Sequence, residues 1–172
     1  MTPPPGDDAG SGRPRRRRVA QELTPAQRAL GLLVRREHSR KELTRKLQAK
    51  GVAGDEAQAA VERMAEAGWQ SNERFADNLA RSRAAQGHGP LRIRAELATH
   101  ALDDDAIRTA LESVEEDWTR VARDLVERRF GDPQTFDRAR QRKAGEFLIR
   151  RGFNMDQMRR ATGSTPFDDE FE

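Results

Sequence analysis

The chain has 172 residues, 35% charged, 35% hydrophobic and only 5% aromatic, with no cysteine. That composition excludes disulfides, thiolate metal sites and a cysteine nucleophile, and it leaves too little apolar material for one thick globular core. The net charge is +3, but the four carboxylates Asp168, Asp169, Glu170 and Glu172 at the C-terminal end leave +7 on the rest, so a basic body precedes an acidic tail. Such a body attracts nucleic acid or an acidic protein surface, and charge alone does not separate the two.

Arg, Glu and Ala are abundant and β-branched and aromatic residues are scarce, so helices are expected throughout. Residues 1–22, rich in Pro, Gly, Asp and Arg and without an apolar period, are expected to be disordered. After Arg15 to Arg18 comes Val19-Ala20-Gln21-Glu22, where a signal peptide needs an apolar run, and no later segment approaches membrane-spanning length. A soluble, cytoplasmic protein is therefore expected.

Order should begin at Thr24-Pro25-Ala26-Gln27, with Thr24 as N-cap, Pro25 in the first turn and Gln27 as the capping-box partner. This first helix is expected to run to about Arg36, with Leu30, Leu33 and Val34 facing inward. Ser39-Arg40-Lys41-Glu42 repeats the capping-box spacing, Leu43 and Leu47 share one face, and Gly51 supplies a left-handed stop. A third helix from Gly54 or Asp55 to Ala67 should bury Ala57, Ala60, Val61 and Met64 and end at Gly68.

A shift of fifty residues aligns Leu43 with Ile93, Leu47 with Leu97, Val52 with Leu102, Asp55 with Asp105, Ala57 with Ile107, Val61 with Leu111 and Met64 with Val114. A further shift of fifty-one places Ala144, Leu148, Gly152 and Phe153 in the same frame, so a third, shorter copy follows. Its last helix runs from about Met155 to Thr162. The second copy should open with a helix from Asn72 to Gln86 behind the N-cap Ser71, with Phe75 and Leu79, and also Ala76 and Ser82, inward. The third should open with a helix from about Glu115 to Phe130, striped by Trp118, Val121, Ala122 and Leu125. The expected fold is all-α: an elongated tandem array of three three-helix repeats over residues 23–70, 71–114 and 115–163. A disordered acidic tail, 164–172, closes the chain. Neighbouring units should support one another, as in other repeat arrays.

Gln86-Gly87-His88-Gly89-Pro90 invites a phosphate-loop reading, but Pro90 has no N–H, no strand precedes and no Lys-Ser/Thr pair follows, so it reads as a helix-to-helix turn. His38, His88 and His100 have no metal-ligand spacing, and no metal or other cofactor is expected. Asp103-Asp104-Asp105 and Glu115-Glu116-Asp117 fall at helix starts, where carboxylates cap N–H groups. Ser39 and Ser71 read as caps too, and no catalytic residues are proposed. Trp69, Trp118, Phe75, Phe130, Phe147 and Phe153 could stack on bases, but their helical spacing to aliphatic neighbours favours packing for most of them. The basic residues carry more. Arg40, Lys41, Arg45, Lys46 and Lys50 lie mostly off the Leu43/Leu47 face, Arg92 and Arg94 occupy the matching helix of the second copy, and Arg140, Arg142, Lys143, Arg150 and Arg151 surround that of the third. The middle helix is thus basic in all three copies, which would draw a positive stripe along the body.

The blocks His38-Ser39-Arg40-Lys41-Glu42-Leu43 with Leu47, Asn72-Glu73-Arg74-Phe75-Ala76, Gly87-His88-Gly89-Pro90-Leu91-Arg92-Ile93-Arg94-Ala95-Glu96-Leu97 and Phe147-Leu148-Ile149-Arg150-Arg151-Gly152-Phe153 occur in an order and spacing that resembles the RecX family of recombinase regulators. The resemblance covers about Thr24 to Gly163. It implies a monomeric, non-enzymatic array that lodges in the groove of a RecA filament on single-stranded DNA, restrains ATP hydrolysis and strand exchange, and so modulates recombination, DNA repair and the SOS response. Trp69, Asn72 and Ala101 depart from the family pattern, Ala101 standing where a helix-ending glycine is usual. A direct nucleic-acid binder is the rival expectation.

Overall fold

Seven of the nine helices in the described part of the chain start where a short polar side chain can accept a hydrogen bond from a backbone N–H that has no partner inside the helix. The structure, a computed structural model, describes residues 23–114 and 117–164. The expectations for the leader 1–22, for Glu115 and Glu116, and for 165–172 fall outside them.

In the first unit, α1 (Pro25–Leu33) is opened by the full Thr24/Gln27 capping box. Helix α2 (Arg40–Gln48) is capped by Ser39, and α3 (Gly54–Glu66) starts without a side-chain cap. The second unit holds α4 (Asn72–Ala85) behind Ser71, α5 (Pro90–Ala98) behind Gly89, and α6 (Asp104–Glu112) behind Asp103. The third holds α7 (Trp118–Phe130) behind Asp117, a 3-10 turn Pro133–Thr135, α8 (Arg138–Arg150) behind Asp137, and α9 (Met155–Thr162) behind Asn154. The first and third helices of each unit pack on one another, α1 on α3, α4 on α6 and α7 on α9, and the middle helix leans on the third.

Each unit has its own small core. Ala29, Leu43, Leu47, Ala57, Ala60 and Val61 fill the first. Ala76, Ala80, Ala84, Ile93, Leu97, Ile107, Ala110 and Val114 fill the second, and Ala122, Val126, Ala144, Leu148, Phe153 and Ala161 the third. The many alanines let helix backbones approach closely, which is how a chain so poor in large apolar residues still closes three cores. Trp118 packs against both the second and the third core.

Several local expectations need correcting. Helix α1 stops at Leu33, Val34 is 76% exposed, and Ala29 is the residue that α1 buries. Glu42 does not complete a capping box with Ser39, because its carboxylate is drawn to Arg36, His38 and Lys46 instead. Ser82 is exposed, the inner face of α4 being completed by Ala80 and Ala84. Trp69 is 57% exposed rather than packed. The third copy is short only in α9, with 8 residues; its middle helix has 13, against 9 in each of the other units.

Candidate interaction surface on the joined middle helices

The basic middle helices meet end to end. At the second joint, between units 2 and 3, the start of α5 faces the end of α8. The Gly89 and Leu91 N–H groups donate to the Arg151 and Gly152 carbonyls at 2.8 and 3.0 Å. N–H groups left over at one helix start are thus satisfied by carbonyls left over at another helix end, and the two dipoles align head to tail. The approach requires glycine on both sides. A Cβ on Gly89 would lie 2.4 Å from the Gly152 carbonyl carbon, and one on Gly152, whose φ is +88°, would lie 2.4 Å from the Arg92 Cβ. The Arg151 guanidinium reaches back to the Gln86 and Gly87 carbonyls at 3.1 and 3.3 Å, closing the end of α4.

The first joint, between units 1 and 2, has the same topology and different chemistry. Ser39 stands where Gly89 stands and Ala101 where Gly152 stands, so side chains make the contact. The Lys41 ammonium donates to the Thr99 carbonyl at 2.8 Å, and the Ser39 hydroxyl lies 2.9 Å from the His100 Nδ1. Asn72 Oδ1 accepts from both the Arg40 backbone N–H at 3.0 Å and the Gln70 amide at 3.0 Å. Gln70 also donates to the His38 carbonyl, and Arg74 pairs with Glu37 at 2.7 Å. Phe75 packs on the His100 ring, centroids 4.6 Å apart. Ala101 takes the left-handed conformation of the helix stop at φ +57°.

A charged cluster backs this joint. Glu42, 9% exposed, receives Arg36, His38 Nδ1 at 3.0 Å and Lys46 at 3.2 Å. Burial pushes its carboxyl up, but the hydrogen bonds from Arg36, His38 and Lys46 outweigh that and hold it at about 2. Burial also keeps His38 and His100 below the usual imidazole range, against the pull of Glu42. His38 Nδ1 thus faces the ionised Glu42 carboxylate at 3.0 Å.

The structure sorts the predicted basic residues into three groups. Arg40, Lys41, Arg92 and Arg151 build the joints, Arg92 Nη1 reaching the Arg150 carbonyl at 3.5 Å and Arg40 Nε the Gln70 side chain at 3.3 Å. Lys46, Arg94 and Arg150 are paired locally with Glu42, Asp104 and Glu146. Arg45, Arg142 and Lys143 are exposed and make no ion pair with a described residue, and Arg140 lies over the Phe136 ring at 5.7 Å. Sequence reasoning missed the joints themselves. The available signal was the alignment of Ser39 with Gly89, just before α2 and α5, and of Ala101 with Gly152, just after α5 and α8.

Fold and joints together define a tandem three-helix repeat protein whose middle helices form one joined basic element. Family models match in series: RecX first three-helix domain over residues 27–64, second over 71–111 and third over 115–162. The "Regulatory protein RecX" of Stenotrophomonas maltophilia (strain R551-3) is 58% identical over 162 residues, covering 94% of this chain and 98% of its own. That of Xanthomonas campestris pv. campestris (strain B100) is 57% identical over 149 residues, covering 87% and 92%. The crystal structure of RecX from Lactobacillus salivarius superposes with a TM-score of 0.65 at 20% identity over 78% of this chain and 89% of that one. A second regulatory protein RecX crystal structure gives 0.67 at 17% identity over 82% and 70%. The chain belongs to the RecX family of regulatory proteins, which are regulators rather than enzymes. No described helix is long and apolar enough to cross a membrane.

Proposed function

We propose that this chain binds the filament that RecA recombinase forms on single-stranded DNA and restrains its ATP hydrolysis and strand exchange, thereby modulating recombination and DNA repair. The observation that carries the reading is the end-to-end joining of the three middle helices. Helices of 13, 9 and 9 residues at ~1.5 Å per residue amount to ~46 Å of helix before the joints are counted. A basic element of that extent suits a repeating, multi-protomer partner, because the exposed cations of its first and third units can meet different protomers at once. Arg45, Arg142 and Lys143 are the side chains left to meet acidic filament surface, while Arg92 and Arg151 act through the joint.

The test is RecA ATP turnover on single-stranded DNA with added protein. Turnover falls at near-stoichiometric amounts, and filaments shorten in electron micrographs. Unchanged turnover together with unchanged filaments refutes the proposal. The same exposed cations support a second reading, direct binding to nucleic acid. It requires tight DNA binding without recombinase, with log affinity falling linearly with log salt as counterions are released.

A further inference from the structure

Helix α4, residues Ser113 and Val114 just after α6, and helix α7 border an open cleft of about 580 Å³ between the second and third units. Ala84, Val114 and Val121 give it an apolar floor, and Arg81, Arg120 and Arg128 stand around it, with Asp124 the one carboxylate among the described lining residues. Arg81 bonds to the Asn78 amide oxygen at 3.3 Å and Arg128 to the Asp124 backbone carbonyl at 3.1 Å, and neither is paired with a carboxylate among the described residues. An apolar floor inside a cationic rim selects a ligand that carries both carboxylates and apolar side chains. The joined-helix surface does not use these residues.

We propose that the cleft is a binding site for an acidic, aromatic peptide segment and that its occupant in the free protein is the chain's own residues 165–172. That segment reads Thr-Pro-Phe-Asp-Asp-Glu-Phe-Glu and has four carboxylates and no base. In extended form, side chains alternate sides, so Phe167, Asp169 and Phe171 point one way while Asp168, Glu170 and Glu172 point the other. The second side offers carboxylates alone to a cationic rim. Reach is sufficient. Helix α9 packs on α7, and Arg123 of α7 donates to the Arg160 carbonyl of α9 at 3.1 Å. Ser164 therefore ends the described chain within four residues of a point beside Arg120 and Asp124. Eight further residues span up to ~26–29 Å, enough to round the flank of α7 and cross the cleft. Tethering supplies a local concentration on the order of millimolar, so an intrinsic dissociation constant of ~100 µM suffices for about nine-tenths occupancy. The tail is then an intramolecular competitor for any acidic ligand of this cleft.

The experiment uses the Trp69→Phe chain, in which Trp118, beside Val121, is the remaining tryptophan, and follows its fluorescence at low salt. The probe is the synthetic peptide of residues 165–172. It is titrated into the chain, into a form ending at Ser164, and into full-length chain with Asp168→Asn, Asp169→Asn, Glu170→Gln and Glu172→Gln. Saturable binding to the truncated and neutralised forms, at least tenfold weaker to the unaltered tail, is expected. Binding is lost with Arg81→Gln plus Arg128→Gln in the truncated form, whose helicity by circular dichroism is retained, and with a peptide neutralised in the same way. Equal affinity for all three tails, no saturation up to millimolar peptide, or equal binding of the neutralised peptide overturns the proposal. So does competition by the intact tail that disappears on dilution, which would place the tail on a second copy.

Discussion

Replacing Gly89 by alanine tests the second joint at one atom. Gly89 has φ −80° and ψ 164°, which alanine adopts without strain, so the substitution adds no backbone penalty and would even stabilise by about 0.4–1 kcal/mol through the unfolded chain. The added Cβ, however, would lie 2.4 Å from the Gly152 carbonyl carbon and oxygen and 2.5 Å from the Phe153 nitrogen. These are backbone atoms that no rotamer change can move. Either the joint stays closed under an overpacking cost of about 1–3 kcal/mol, or it opens. Opening gives up the two backbone hydrogen bonds from Gly89 and Leu91 and the Arg151 contacts with Gln86 and Gly87. At about 1 kcal/mol for each neutral bond and about 1.5 kcal/mol or more for each from the charged guanidinium, opening costs about 5 kcal/mol or more. The closed route costs less, so after the gain through the unfolded chain a net loss of about 1–2 kcal/mol is expected from denaturant unfolding. Hydrogen exchange should localise it, with Leu91 N–H losing protection while the amides of α2 and α3 keep theirs. A variant within ~0.5 kcal/mol of the parent, with Leu91 still protected, refutes the claim that this contact holds the units together.

Acid should weaken the first joint. Glu42, held at about 2 against an unfolded value of 4.5, contributes stability that is complete above about 4.5 and is lost as pH falls toward 2. His38 and His100, held below 6.5, begin to subtract stability as pH drops through 6.5, because the unfolded chain takes up their protons more readily. Glu42→Gln should cost about 2 kcal/mol at pH 7, after discounting for the partly exposed Arg36 and Lys46, and should flatten the decline below pH 4.5 in thermal melts across pH. Ala101→Gly should stabilise by about 0.5–1 kcal/mol, since an L-residue costs about 1–2 kcal/mol in the left-handed region and glycine returns part of that gain to the unfolded state. A loss of stability there would show that Ala101 is not under strain. Joint replacement of Arg45, Arg142 and Lys143 by glutamine should leave unfolding within ~0.5 kcal/mol, as these side chains make no ion pair with a described residue. It should also raise, by at least several-fold, the amount of protein needed to slow RecA ATP turnover; an unchanged dose–response removes these three from the binding surface.

Helix starts and stops were legible because they are set within three or four residues. Ser71, Asp103 and Thr24 cap where their spacing indicates, and Gly51 and Gly68 take the left-handed stops. The threefold repeat was legible for the same local reason, since a small helical core depends on apolar residues at helical spacing, and the fifty-residue shift preserves it. Burial at the edges was less so: Val34 and Trp69 fit an apolar pattern but lie beyond the reach of their unit's neighbours, and are exposed.

The basic stripe was visible only as composition. Pairing depends on which carboxylate or carbonyl comes within about 3 Å, and those partners lie far away in sequence: Thr99 for Lys41, Arg150 for Arg92, Gln86 for Arg151. By itself the sequence determined helices, caps, three cores and an excess of positive charge on each middle helix, all consequences of near-neighbour chemistry. Only the tertiary structure decided that those helices meet end to end. Whether a carbonyl at one helix end finds an N–H at another start turns on the absence of a Cβ at Gly89 and Gly152 and on its presence at Ser39 and Ala101. That steric condition exists only once two helix ends some sixty residues apart in the chain have been brought together.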